Sequence, residues 1–337
     1  MHKAELFQKK DKDTVKCVCC QRKCVISPGN SGFCGVRKNV DGVLYLSVYG
    51  KAIAVNIDPV EKKPLYHFMP GAEVFSFGTV GCNFRCEFCQ NWDISQATAS
   101  DGIFNSSQDL PPGEIVEYCE ENEIPIIAYT YNEPTIFTEY AADTAKLAKK
   151  KGIKNVYVTN GYESEECLDY MKDWCDAMNI DIKSYNKDFY LKTCGGVKLE
   201  GVLGTVKKAY ERNIWIECTT LVIPDLNDSD KELTQIAEFI AGVSKDIPWH
   251  VSAFHPAYKM NDRRSTPPEE LERAYEAGKK AGLKFVYTGN IIGGHEDTIC
   301  PNCKEVLIER SGISCQTCKI KEGNCPNCKE KIPGIWK

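Results

Sequence analysis

No stretch of this sequence approaches the roughly 18 consecutive apolar residues that a membrane-spanning helix needs. The opening residues, Met1-His-Lys-Ala-Glu-Leu-Phe-Gln-Lys-Lys-Asp-Lys-Asp13, are charged and lack an apolar core, so no secretory leader is expected. Positive charge is not in excess either. With a net charge of −5 and a pI near 5.7, there is no general electrostatic reason to bind nucleic acid. These absences point to a cytoplasmic protein without a membrane partner. At 42% hydrophobic and 26% charged, it reads as an ordinary soluble globular chain. Its 337 residues allow one large domain with appendages, or two domains.

Cysteine, by contrast, is abundant. In a reducing compartment 19 cysteines are expected to bind metal rather than form disulfides. Five lie before residue 35, three between 82 and 89, and six after 299. The remaining five, Cys119, Cys167, Cys175, Cys194 and Cys218, are scattered.

The central set lies in Thr79-Val-Gly-Cys-Asn-Phe-Arg-Cys-Glu-Phe-Cys-Gln-Asn-Trp92. Cys82, Cys86 and Cys89 stand at i, i+4 and i+7, so a short loop gathers three sulfurs. Three thiolates serve three irons of a cubane that usually takes four cysteines, leaving one iron open to a small molecule. Phe84, Phe88 and Trp92 would keep water from such a cluster, and exclusion of water tunes its potential. A structural zinc loop or buried free thiols is the bland alternative.

This stretch resembles the radical S-adenosylmethionine (SAM) superfamily, in particular the branch of glycyl-radical-enzyme activases such as pyruvate formate-lyase activating enzyme. Three further stretches resemble the radical SAM member of the AmmeMemoRadiSam system: Asp58-Pro-Val-Glu-Lys-Lys-Pro-Leu-Tyr-His-Phe68, Tyr129-Thr-Tyr-Asn-Glu-Pro-Thr135 and the terminal Cys-Pro-x-Cys pairs. The resemblance implies a [4Fe–4S] cluster on Cys82, Cys86 and Cys89. It also implies reductive cleavage of SAM to methionine and a 5′-deoxyadenosyl radical, fed by an electron donor such as a ferredoxin or flavodoxin.

Beyond Gly71, β-prone runs at 73–79, 125–130, 155–159, 177–183, 214–222, 249–254 and 284–288 alternate with helical patterns near 113–123, 134–151, 164–175, 200–212, 229–244 and 267–281. Such alternation predicts parallel βαβ units. The expected fold class is α/β, a partial (β/α)6-type TIM barrel of the radical SAM kind with small Cys-rich metal-binding appendages at both ends. A doubly wound sheet is the runner-up. The expected domains are an N-terminal metal-binding arm (1–42), a β-rich and extended connector (43–70), the partial barrel (71–295) and a zinc-ribbon-like module (296–337).

Catalytic groups in barrels come from the carboxyl ends of the strands. Those ends are expected to carry the Cys82 loop, Asn132-Glu133, Thr159-Asn160-Gly161, Asp181-Ile-Lys183, Glu217-Cys-Thr-Thr220, His255 and Thr288-Gly-Asn290. By resemblance, the edge at Asn132 and Glu133 meets the methionyl ammonium of SAM, with Tyr131 and Asn132 replacing the usual glycines. The turn at Thr159 and Asn160 lies near SAM. Lys183 holds its carboxylate, Asp181 orients Lys183, and His255 bonds the ribose. Glu133 could instead be only the acid of a helix N-terminus, and Asp181–Lys183 a structural ion pair. His67, between two aromatics, reads more as a packed side chain than as a ligand. Cys194 reads as a small buried residue rather than a radical relay.

The terminal cysteine sets complete the pattern. Cys17, Cys20, Cys24 and Cys34 are expected to hold zinc or an auxiliary Fe–S cluster, since both accept four thiolates. In the tail, Cys300-Pro-Asn-Cys-Lys-Glu305 recurs letter for letter as Cys325-Pro-Asn-Cys-Lys-Glu330. Cys300, Cys303, Cys325 and Cys328 are therefore expected to form a closed zinc site. Cys315 and Cys318, a third pair, leave other four-sulfur combinations open. The expected function is hydrogen-atom abstraction from a protein or small-molecule substrate. A glycyl-radical activase and a non-catalytic metal scaffold are the rivals.

Overall fold

The computed structural model describes residues 1–337. Its centre is an eight-stranded mixed sheet whose strands lie side by side in chain order. They are β1 (Ala54–Pro59), β2 (Glu73–Gly78), β3 (Ile126–Tyr129), β4 (Lys154–Thr159), β5 (Ala177–Asp181), β6 (Trp215–Val222), β7 (Trp249–Ala253) and β8 (Val286–Gly289). β1 runs antiparallel to β2, and every other neighbouring pair is parallel. A helix of seven to fourteen residues follows each of β2 to β7: α1 (Pro112–Glu121), α2 (Thr138–Lys150), α3 (Glu165–Met171), α4 (Leu199–Glu211), α5 (Asp230–Val243) and α6 (Pro268–Ala281). The order has no reversal, so the switch point of a doubly wound sheet is missing and that runner-up falls.

Local chemistry explains the element boundaries. Proline opens α1 and α6, where its missing N–H is harmless. Ser164 and Ser229 cap α3 and α5 by accepting the N–H groups of Cys167 and Glu232. Gly282 closes α6 at φ +92°, a left-handed position that suits glycine. All four residues of β3 are buried, as expected for a strand covered on both faces.

The expected connector 43–70 is divided rather than free-standing. Val43–Leu46 pairs with Arg37–Val40, while Ala54–Pro59 becomes the antiparallel edge of the main sheet. Asp58 then anchors the chain through Lys62 and Lys63, at 2.8 and 2.7 Å.

The first 42 residues share the main core, to which Ala4, Val15, Ile26 and Val36 all contribute. Arg37 and Glu139 form a buried ion pair between this segment and α2, and Arg37 Nε donates to the Ile136 carbonyl at 2.9 Å. Glu139 also accepts the Glu5 N–H at 3.0 Å. Breaking such a pair by removing one partner typically costs about 3–5 kcal/mol.

The last 42 residues fold over the amino ends of the strands. Ile335 N–H donates to the His67 carbonyl at 2.8 Å, and Met69 N–H donates back to Ile335 at 2.6 Å. Arg310 donates to the Tyr66 carbonyl at 2.8 Å. His67 is fully buried between Pro333 O and Tyr287 Oη, at 2.7 and 2.6 Å, and burial lowers its pKa to about 4. It is a neutral, packed side chain. Glu217 is the third residue of β6 rather than a strand end, and it accepts from Tyr66 N–H, His67 N–H and the Trp215 indole, with His250 Nε2 at 2.7 Å. Its place among the mouth residues is therefore corrected: it ties the chain at the opposite end of the sheet.

Candidate active site

The loop carrying Cys82, Cys86 and Cys89 leaves the carboxyl end of β2. Gly81 has φ +91°, and a Cβ there would stand 2.6 Å from the Cys34 carbonyl oxygen, so position and space both require glycine. Asn132 fixes the start of the loop: its Nδ2 donates to Gly81 O at 2.7 Å and to Thr79 Oγ1 at 3.1 Å. Further along, Arg85 N–H and Glu87 N–H donate to the carbonyls of Cys194 and Thr193, both at 3.0 Å. Lys259 N–H reaches Glu87 O at 3.0 Å, which brings the segment after β7 against the same loop.

Phe84 and Phe88 are buried around the sulfurs, whereas Trp92 is 47% exposed and stacks on Tyr258 at 5.2 Å. The expected aromatic shield thus consists of two rings, with the third lying at the surface. Burial raises the pKa of Cys82 and of Cys89, and for Cys86 the adjoining Cys194 thiol raises it further. Left to themselves these thiols stay protonated. A metal centre is what would convert them to thiolates.

Thiolates around one zinc, with bonds near 2.3 Å, stand about 3.8 Å apart. Only the set Cys300, Cys303, Cys325 and Cys328 gathers three or more ligand atoms that all lie within 4.8 Å of one another. The sulfurs of Cys82, Cys86 and Cys89 do not all lie within that distance of one another, so they are not gathered as around a single ion. The residues fit the cluster that the motif implies.

Lys183 and Asp181 follow β5 into the same mouth and pair at 2.6 Å. Burial works against the lysine charge, but Asp181 outweighs it and holds the ammonium protonated. Tyr190 Oη accepts the Lys183 backbone N–H at 2.9 Å. Asn160 reaches toward the loop, donating to Asn83 Oδ1 at 2.7 Å and lying 3.8 Å from Cys82 Sγ. His255 is exposed beyond β7, with Ser265 Oγ at 3.3 Å.

Glu133 behaves differently from the expectation. Its carboxylate points into the protein, is fully buried, and accepts from Thr135 N–H at 3.0 Å and from Asn160 N–H at 2.8 Å. The helix-terminus alternative describes these contacts. Glu163, not anticipated from sequence, is its buried neighbour. The hydroxyls of Thr135 and Thr159 each touch both carboxylates, at 2.5 to 2.9 Å. Two hydroxyl protons serve four contacts, so a proton held on the carboxyl pair completes the network. An acidic residue four positions after the end of β4 was the only signal available for Glu163.

Burial first, and Glu163 second, raise the Glu133 pKa from 4.5 to about 7. Between those values the folded state binds more protons than the unfolded state, so this group makes stability fall as pH rises. Glu163→Gln removes the like charge and is expected to flatten that decline between about pH 5 and 7. Urea titrations at several pH values check this; an unchanged slope would show that the two carboxyls do not interact.

The carboxyl-end loop of three cysteines on a singly wound α/β sheet defines an iron–sulfur enzyme that works on a small-molecule cofactor. Residues 77–240 form a radical SAM domain, matching the profile described as "Radical SAM superfamily". The chain is 43% identical to the uncharacterized protein MJ0808 of Methanocaldococcus jannaschii, over 98% of this chain and 99% of that one. It is 24% identical to the pyruvate formate-lyase-activating enzyme of Listeria monocytogenes, over 62% of this chain and 88% of that one. The crystal structure of Streptococcus suis SuiB bound to precursor peptide SuiA aligns with 68% of this chain and 51% of its own, at TM-score 0.51 and 13% identity, a likeness of fold alone. Members of this superfamily bind SAM and an iron–sulfur cluster. No helix here is long and apolar enough to cross a membrane.

Proposed function

We propose that this protein cleaves SAM reductively at a [4Fe–4S] cluster held by Cys82, Cys86 and Cys89 and abstracts a hydrogen atom from its substrate. When bound, the cluster and SAM supply the electron transfer and the 5′-deoxyadenosyl radical. The observation that carries this reading is the Lys183 ammonium, kept charged beside Cys86 by Asp181. A lysine so placed can hold a carboxylate against the cluster loop, as the SAM carboxylate requires. Asn160 presents its amide to the same space, and its Oδ1 is buried without a partner. Glu133 and Thr159 set the turn that carries Asn160, and Asn132 sets the cysteine loop, so these act as positioning residues. His255 stands on the loop nearest the solvent for the ribose.

The singly wound sheet supports a partial (β/α)6-type barrel, with residues 1–42 and 296–337 as the segments that carry the two outer cysteine sets. Cys300, Cys303, Cys325 and Cys328 would hold zinc. An electron donor of the ferredoxin or flavodoxin kind, a cytoplasmic location and a protein or small-molecule substrate complete the reading. The motifs at Asp58–Phe68 and Tyr129–Thr135 resemble those of the AmmeMemoRadiSam enzymes and support that branch as the reading. The likeness to pyruvate formate-lyase-activating enzyme favours an activase, with a protein substrate, as second reading. A dead scaffold has no need of a charged lysine buried at the mouth.

Anaerobic reduction with SAM tests the proposal: methionine and 5′-deoxyadenosine are expected, and a scaffold yields neither. Lys183→Met removes a charged hydrogen bond worth about 1.5–3 kcal/mol, which corresponds to SAM affinity about 10- to 150-fold weaker. Iron content should stay the same. Equal affinity in the variant would take Lys183 out of the site.

A further inference from the structure

The N-terminal cysteines present a second metal question, and the spacing of their sulfurs answers it. Cys17, Cys20, Cys24 and Cys34 line one small enclosed cavity, and no three of their sulfurs lie within 4.8 Å of one another. The compact Cys300 set shows how this chain arranges four thiols around one ion, with opposing sulfurs 3.6 Å apart. The N-terminal set is spread wider than that, and so are the sulfurs of the Cys82 loop.

The walls of the cavity are prepared for sulfur-rich anionic contents. Backbone N–H groups of Cys19, Arg22 and Val36 face the sulfurs of Cys17, Cys20 and Cys34, each from two residues further along. Arg37 and Arg22 line the cavity with positive charge. Asn83, next to the Cys82 ligand, lines it too, and its Nδ2 is buried without a partner. The wall between the two cysteine sets is thin. A Cβ at Gly81 would meet the Cys34 carbonyl at 2.6 Å, and Arg22 Nε donates to the Asn83 carbonyl.

We propose that Cys17, Cys20, Cys24 and Cys34 hold a second [4Fe–4S] cluster, lodged directly behind the Cys82 loop, through which electrons enter the active site. One electron passes from a reduced ferredoxin- or flavodoxin-type donor to this cluster, which returns to its oxidised state on handing that electron to the cluster at Cys82. The donor is oxidised by one electron, and no other reactant is needed. The metal assignment stands by itself; the relay rests on the proposed function.

The test uses full-length protein made and reconstituted anaerobically, with iron, zinc and acid-labile sulfide measured per chain. A variant with Cys82, Cys86 and Cys89 all replaced by alanine is expected to keep about four irons and four sulfides, and wild type about eight of each. Zinc in place of this iron, or loss of all iron from the triple variant, would overturn the second cluster. Should the N-terminal set alone hold iron, the triple variant would match wild type, which would reject the active-site reading but not this one. Cys24→Ala is expected to lose about four irons and to keep the electron paramagnetic resonance signal that SAM perturbs. With dithionite this variant should cleave SAM at the wild-type rate, and with reduced flavodoxin at least about ten-fold more slowly. Equal rates with flavodoxin would remove the relay.

Discussion

Cys86→Ala is expected to abolish SAM cleavage: methionine and 5′-deoxyadenosine should fall at least about a thousand-fold, to the background of the reagents, with loss of about four irons per chain. The size of this effect follows from the ligand count. A cluster on three cysteines has no protein ligand to spare, and Cys86 also lies beside Lys183, the residue proposed to hold the SAM carboxylate. Loss of one thiolate therefore removes metal and cofactor binding together. The neighbouring Cys194 supplies the control. Its thiol adjoins Cys86 and it is fully buried, so it is the one cysteine placed to compete for the vacant iron. Cys194→Ala should retain iron and cleavage. Loss of the cluster in that variant would make Cys194 a fourth ligand, and the open corner on which SAM chemistry depends would be closed.

The alternation of strands and helices was legible in the sequence because parallel strands covered on both faces leave unbroken apolar runs, such as Ile126–Tyr129. The mouth was legible in outline, since the residues following β2, β4 and β5 bring the cysteine loop, Asn160 and Lys183 together. Direction was not legible. Glu133 occupies the expected place, but Thr135 and Asn160 turn its carboxylate inward, and those donors sit on different elements. Glu217 was misplaced because β6 runs for eight residues, so its third residue lies far from its end. The first 42 residues looked like an appendage for a similar reason. Their burial depends on Glu139 and Thr135, about a hundred positions away, and no local pattern reports such partners.

Removal of the zinc proposed at the C-terminal cysteines is expected to give the second large effect, at the other end of the sheet. The paired sulfurs, Cys300 with Cys328 and Cys303 with Cys325, sit 3.6 Å apart in each case, close to the edge of a zinc–thiolate tetrahedron. So short a module has too little core to fold alone, and structural zinc commonly supplies about 10–16 kcal/mol to such units. Cys300→Ser with Cys325→Ser, or a strong chelator, should remove one zinc per chain and expose residues 296–337 to protease within minutes. The rest of the protein loses the contacts of Ile335 with His67 and of Arg310 with Tyr66, so its unfolding temperature should fall by about 5–10 °C. His67 and Tyr287 would meet water, but neither touches the cysteine loop. SAM binding and the iron at Cys82 should therefore survive the loss. If zinc depletion instead released that iron, the module would be coupled through the sheet to the active site, and its role would extend beyond holding the amino ends of the strands together.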